Sequence, residues 1–361
     1  MIPVLRPRLP TAERLAPYLA AIDRAQYYSN FGPQTRALET RLASHFGLAG
    51  ETVTTVANAT LGLALALGAQ GASPGALCAM PAWTFVASAN AAVLAGLTPY
   101  FIDVDPATWA LDPLAVAEEI ARAPATVGAV MVVAPFGQPI DYAAWDEVKR
   151  RIGLPIVIDA AAAFDSLQAG ETPAVASLHA TKVVGVGEGG FVASRDAALI
   201  RAVRQRSNFG FAADRSAALP GLNAKLSEYH AAIGLAALDM WSESRAAWMS
   251  VAGAYRNALA KSNRINLQPG FGETWVSSTC IVAVDARVRD RALQALTTAG
   301  IDTRLWWGGG AHSQPATAGF PRAPVPVTEK LAKSTIGLPF YQGLANDQVR
   351  QIVTTLTAAV S

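Results

Sequence analysis

The 361-residue chain reads as an α/β protein, a mostly parallel sheet sandwiched by helices, followed by a smaller C-terminal α+β domain. Three observations predict this. Between Thr52 and Ser194 short β-branched or apolar runs alternate with helical stretches, the pattern of a parallel sheet covered on both faces. No charged residue occurs from Thr52 to Ile102, and hydrophobic content is 52% against 16% charged, so both faces of the sheet have apolar cover. Beyond a long helix around Met240–Leu259 the alternation gives way to short mixed elements, which marks a second domain.

Taken in order, Thr11–Gln26 carries Leu15, Leu19 and Ile22 at helical spacing, and Asn30–Pro33 is a turn opening a second helix that runs to about Phe46. Strands are expected at Thr52–Ala57, Ala76–Met80, Pro99–Asp103, Gly128–Ala134, Pro155–Asp159 and Phe191–Ser194. Helices are expected near Thr60–Ala69, Phe85–Leu94, Pro113–Ala121, Tyr142–Arg151, Arg195–Arg206 and Ser227–Leu238. The chain then divides near Ser242–Ala252, giving a large domain with an N-terminal arm over residues 1–245 and a small domain over 246–361. Within the latter, Thr274–Val284 is strand-like, Arg289–Ala299 and Asn346–Ala359 are helical, and the segments Thr303–Trp307, Glu329–Lys333 and the run to Leu338 complete the unit.

Composition excludes several classes of function. The net charge of +2 comes without a basic run, which gives nucleic-acid binding no support. The apolar stretches are broken by Asn58, Pro74, Pro81, Asn90 and Pro99 and are too short to span a bilayer, which takes about 20 apolar residues. The N-terminus has no apolar core of signal-peptide length, so a cytoplasmic protein is expected. Cys78 and Cys280 match no metal or redox spacing and are expected to pack in the core, and the four histidines make no metal pair.

The segment from Pro155 to Gly190 carries the chemistry. Pro155–Ile158 reads as a buried parallel strand closed by Asp159, which therefore faces the crevice at the strands' carboxyl ends, where open α/β sheets bind ligands. Lys182 follows, flanked by Ser177, Thr181 and a glycine-rich run, in a setting too apolar for a merely solvated lysine. A carboxylate that keeps a pyridine nitrogen protonated and a lysine amine that bonds to an aldehyde are the two needs of pyridoxal 5'-phosphate. Taken alone, Asp159 reads equally as a helix N-cap. Gly185-Val-Gly-Glu-Gly-Gly190 also fits the dinucleotide pattern G-x-G-x-x-G, but Phe191–Ser194 after it is strand-like where that motif needs a helix.

Asp159-Ala-Ala, Ser177-Leu-His-Ala-Thr-Lys182 and Gly187-Glu-Gly-Gly190 together resemble the DegT/StrS-type sugar aminotransferases, which are fold-type I pyridoxal-phosphate enzymes. The resemblance runs from about Asn30 to the C-terminus. It implies Lys182 and Asp159 as catalytic residues and a cofactor phosphate held by Ala59, Thr60 and Ser177. Asn223, in Gly221-Leu-Asn223, is implied to reach the cofactor phosphate of a neighbouring subunit in a homodimer with shared sites. Local sequence alone reads Asn58, Thr60 and Asn223 as helix caps.

The same resemblance implies an aromatic stacked on the cofactor ring after Thr84, which makes Phe85 the candidate with Trp83 close by. Phe31, Gly32, His179, Lys225, Arg304 and Trp306 are implied to border the substrate, although Trp306 and Trp307 read equally well as packing and His179 as a neighbour that orients others. Asp103-Val-Asp105 is implied to be structural. One departure stands out: the family carries Gln, His or Glu at the third position after the aspartate, and this chain has Ala162. The expected reaction is transfer of an amino group from an amino-acid donor, by family precedent L-glutamate, to a nucleotide-linked keto-deoxysugar. Other pyridoxal-phosphate chemistry, such as elimination or dehydration, and a non-catalytic cofactor-binding regulator are the alternatives, and the presence of Lys182 favours transamination.

Overall fold

The computed structural model describes residues 1–361. The order is α1 (Ala12–Ala25), α2 (Pro33–His45), β1 (Val53–Val56), α3 (Ala59–Ala69), β2 (Leu77–Pro81), α4 (Val86–Leu94), β3 (Thr98–Ile102), α5 (Val116–Ala121), β4 (Val127–Val133), α6 (Tyr142–Ile152), β5 (Ile156–Asp159), β6 (Ala174–Ser177), β7 (Gly190–Ala193), α7 (Ala197–Ser207) and α8 (Glu228–Asp239). Then come α9 (Trp241–Leu259), β8 (Asn266–Leu267), β9 (Cys280–Ala283), α10 (Ala286–Thr298), α11 (Pro326–Ser334), β10 (Thr335–Leu338) and α12 (Asn346–Val360). The main sheet has seven strands in the order β1-β7-β6-β5-β4-β2-β3. Only β7 runs against its neighbours, so the carboxyl ends of β1, β2, β4, β5 and β6 share one edge.

Side-chain alternation explains why this sheet needs cover on both faces. Along β4, Val130 and Val132 enter one core while Ala129 and Met131 enter the other; along β5, Ile156 and Ile158 oppose Val157 in the same way. Cys78 and Cys280 are both free and buried, and burial pushes the Cys78 thiol up to about 12. Neither is a thiolate at neutral pH.

All six expected strands of the large domain are present to within two residues, but β6 falls in a segment where no strand was expected. Its four residues are all buried, and so short an apolar run gives no period to read. The expected strand Thr274–Val284 shrinks to β9 because Thr274–Ser278 turns away: Trp275 bridges to Phe271, and Val276 N–H donates to Asp165 at 3.0 Å. Thr303–Trp307 forms no strand, only an antiparallel bridge between Arg304 and Gly337. The small sheet, β10-β9-β8, is antiparallel throughout.

The division at residues 245 and 246 falls inside α9, a continuous 19-residue helix that packs on α12. We propose that α9 is the shared linker and that the small domain begins within it. The N-terminal arm crosses to that domain: Ile2 N–H donates to Gly300 O at 2.8 Å, and Phe340 N–H donates to Val4 O at 3.0 Å. Two carboxylates tie the large domain to the small one. Asp165 accepts from Arg245 Nη2 at 3.1 Å as well as from Val276. Asp103 accepts from Val327 N–H at 2.7 Å, Thr328 N–H at 2.9 Å and Thr328 Oγ1 at 2.8 Å.

Asp103 thus caps α11 from another domain, in place of Val325, which has no side-chain acceptor to offer. Asp103→Ala is expected to cost about 1–2 kcal/mol of stability, as loss of a helix cap does. Urea unfolding followed by circular dichroism checks this, and an unchanged midpoint refutes the capping role.

Candidate active site

Residues from separate elements meet at the carboxyl edge of the parallel strands. Asp159 ends β5 and is 7% exposed; its Oδ2 accepts from Ser88 Oγ at 2.7 Å and its Oδ1 from Ala161 N–H at 3.1 Å. Burial pushes this carboxyl up, and the Ser88 hydroxyl, the Ala161 N–H and the charge of Lys182 oppose the rise. Lys182 lies in the turn between β6 and β7, fixed by Lys182 N–H to His179 O and Ala180 N–H to Gly187 O, both 2.8 Å. Burial lowers its ammonium below the ordinary lysine value, and Asp159 resists that shift. A buried acid and a half-buried lysine thus act on each other at the ligand-binding edge.

Beside them α3 begins. Asn58 caps Leu61 N–H at 2.9 Å, while Ala59 and Thr60, the first residues of the helix, have no intrahelical acceptor for their N–H groups. Ser177 ends β6 and pairs with Gly190, whose bare Cα lets the turn close up: a Cβ there would stand 2.9 Å from both Ala59 N and Ala176 O. Free N–H groups at a helix N-terminus beside a serine hydroxyl make a phosphate cradle.

Phe85, just before α4, is 56% exposed at the same edge, whereas Trp83 is 1% exposed and edge-on to Trp307, with ring centroids 5.2 Å apart. Phe85 is therefore the free aromatic, and Trp83 is core. The residues present fit pyridoxal 5'-phosphate: a buried carboxylate for the ring nitrogen, an amine for the aldehyde, a cradle for the phosphate and an aromatic for the ring face.

The family model for DegT/DnrJ/EryC1/StrS aminotransferases matches residues 11–357. The chain belongs to that family. A Mycobacterium tuberculosis protein is 31% identical over 99% of this chain and 90% of its own length. The UDP-2-acetamido-2-deoxy-3-oxo-D-glucuronate aminotransferase of Pseudomonas aeruginosa is 30% identical over 94% of each chain. The crystal structure of DesI with its TDP-sugar product is 33% identical, covers all of this chain and 94% of its own, and superposes with a TM-score of 0.87.

In this pyridoxal-phosphate-dependent aminotransferase the cofactor, when bound, supplies an aldehyde for amino groups and a ring that takes up the electrons of a breaking C–H bond. We propose that Asp159 would hold the proton at the ring nitrogen, that Lys182 Nζ would attach the cofactor and carry a proton once released, and that the first turn of α3 and Ser177 would hold the phosphate.

The remaining expected residues lie in four places. His179 stays in the β6–β7 turn: its Nδ1 accepts from Thr181 N–H at 3.2 Å and lies 2.8 Å from Thr181 Oγ1. Asn223 is exposed and accepts from Lys225 Nζ at 2.7 Å, and that ammonium sits 4.6 Å over the Phe209 ring. Phe31, at a positive φ of 56°, lies under the Arg204 guanidinium, and Gly32 makes room for Glu228. Arg304 and Trp306 stack on each other at 5.2 Å, with Trp306 against Gly337, while Trp307 stacks on Phe136 at 3.8 Å.

Two features escaped the sequence. Glu228 is fully buried and caps α2 by accepting from Gln34 N–H at 2.7 Å and Thr35 N–H at 2.9 Å; an acid in the first turn of a helix gave no sign of that distant partner. Ser88 and Thr84 flank Phe85 and lead to Asp159, and their four-residue spacing was the available signal.

Because Lys182 is shifted below the 10.5 of an ordinary lysine, its neutral, attacking form is present at lower pH than for a free amine. The rate at which cofactor-free protein attaches pyridoxal phosphate should therefore rise with pH and level off below that value. Stopped-flow absorbance reads the rate, and borohydride reduction with peptide mapping should place the label on Lys182. A label elsewhere, or a rate still climbing at about pH 10.5, contradicts the assignment.

Proposed function

We propose that the protein is a cytoplasmic homodimer that carries an amino group from an amino acid, L-glutamate, to the keto group of a nucleotide-linked deoxysugar, in amino-sugar or polysaccharide biosynthesis. The observation that carries this reading is near full-length similarity to a UDP-sugar aminotransferase and to a protein crystallised with a TDP-sugar product. No helix is long and apolar enough to cross a membrane. The substrate-side residues add support. A small keto acid is usually clamped bidentately by an arginine, and Arg304 is instead stacked on Trp306. A nucleotide-linked sugar supplies remote binding energy through its phosphates and base, which helps to hold the reacting carbon over the cofactor.

The aminated enzyme should be returned to its aldehyde form by a dTDP- or GDP-linked 4-keto-6-deoxysugar, tested beside a UDP-linked 3-oxo sugar, far faster than by pyruvate or oxaloacetate. The cofactor spectrum reads the return. Pyruvate as the better acceptor by more than about tenfold, or about 1.4 kcal/mol in the transition state, overturns the sugar reading and leaves the cofactor assignment standing.

The shared site rests on the exposure of Asn223 and on the family resemblance. Lys182→Ala and Asn223→Ala variants are each expected to be nearly inactive, and mixing them should restore activity through heterodimers that hold one intact site. Mixtures no more active than their parents refute the contribution in trans.

A further inference from the structure

Two buried hydroxyls stand behind Asp159. Ser88 Oγ lies 2.7 Å from Asp159 Oδ2 and 2.8 Å from Thr84 Oγ1, and the two residues are 0% and 1% exposed. A hydroxyl has one proton to donate, and an ionised carboxylate only accepts. Ser88 therefore gives its proton to Asp159, and the proton in the Thr84–Ser88 contact is Thr84's. The order of donors is forced from Thr84 to Ser88 to Asp159. With Ala161 N–H on Oδ1, each carboxylate oxygen has one donor from the protein and keeps lone pairs for a ring N–H.

The same two residues enclose Phe85. Ser88 N–H donates to Phe85 O at 3.1 Å, and Thr84 N–H donates to Ala82 O at 3.1 Å, so the hydroxyl contact closes a turn around the exposed aromatic. We propose that Thr84 and Ser88 are positioning residues, a one-way hydroxyl chain that keeps Asp159 ionised and aimed at the cofactor's ring nitrogen while fixing the turn that presents Phe85. The ring-nitrogen contact and the ring-face contact thus share one support.

The surroundings leave few other groups to do this. Val133 and Val175 flank Asp159 in the sheet, and Lys182 is the charged group that acts on it. Burial drives the carboxyl toward its neutral form, and the Ser88 hydroxyl is the largest influence in the opposite direction. Without it Asp159 holds its own proton more tightly and gives the ring less.

The test uses Ser88→Ala and the volume-conserving Thr84→Val, with the Asp159 carboxyl titrated by 13C resonance in the cofactor-free protein and identified by its absence in Asp159→Asn. Ser88→Ala should raise the midpoint by about one unit, the usual worth of a hydrogen bond to a charged group. Thr84→Val should raise it by less. In the loaded protein a 15N-labelled ring nitrogen should move toward its unprotonated shift, and the amino-acid half-reaction should slow about tenfold at an unchanged KM. An unmoved midpoint and ring shift in Ser88→Ala overturn the proposal. Movement in Ser88→Ala with none in Thr84→Val overturns the two-link chain. Should Ser88→Ala not fold, Thr84→Val decides alone, because it leaves the direct partner of Asp159 in place.

Discussion

The role proposed for Asp159 asks for a charge in a place that disfavours charge. A carboxylate taken out of water is costly unless it is paired and hydrogen-bonded, yet the chemistry at a pyridine nitrogen needs a negative neighbour. The fold meets this with a strand end in the middle of a parallel sheet, where β4 and β6 flank Asp159 and where Ser88, Ala161 and Lys182 oppose the effect of burial. Each hydrogen bond to a charged group contributes about 1.5–3 kcal/mol. The partners of Asp159 come from α4, from the residues after β5 and from the β6–β7 turn, so the sheet order that gathers these elements is a condition of the chemistry.

The small domain is held to that edge by similar means. Asp103 follows β3 and caps α11, and Asp165 accepts from Val276 and Arg245. Trp307 reaches back to stack on Phe136, which follows β4, and to meet Trp83, which follows β2. Ala311 N–H donates to Ala82 O at 2.9 Å. The segment from Ala82 to Phe85 is therefore gripped from the small domain on one side and from α4 on the other. The aromatic loop around Arg304 is in large part an interdomain joint: of its two tryptophans, Trp307 is spent on packing, and Trp306 lies along β10 against Gly337.

How much of this was legible depends on the range of the interaction. The place of Asp159 and of the α3 turn follows from strand-end geometry, because in a parallel sheet the carboxyl end of every strand is the ligand edge whatever the strand order, whereas Ser177 was named through the motifs that carry the family resemblance. Phe85 was named by its place after Thr84 with Trp83 close by on the same turn, and it is packing against Trp307 that sets Trp83 apart from it. Glu228 read as an unremarkable helix acid because its partners, Gln34 and Thr35, lie about two hundred residues away in sequence. β6 was missed for the opposite reason: four buried residues between turns carry no periodic signal at all.

Ala162 departs from the family pattern beside a sparsely supported Asp159. The resemblance leads one to expect a polar side chain there that contacts the cofactor's phenolic oxygen, and this sequence supplies a methyl group. Asp159 itself takes one side-chain donor, Ser88 from α4, and the backbone N–H of Ala161 is its remaining neutral donor. Two neutral donors are few for a buried carboxylate, which has room for about four. The lone pairs left over make the position receptive to a ring N–H, and they also make it sensitive to the loss of either donor. In an enclosed, weakly screened site that sensitivity is larger than it would be at the surface, so the hydroxyl behind Asp159 carries more weight here than in a site with a fuller set of partners.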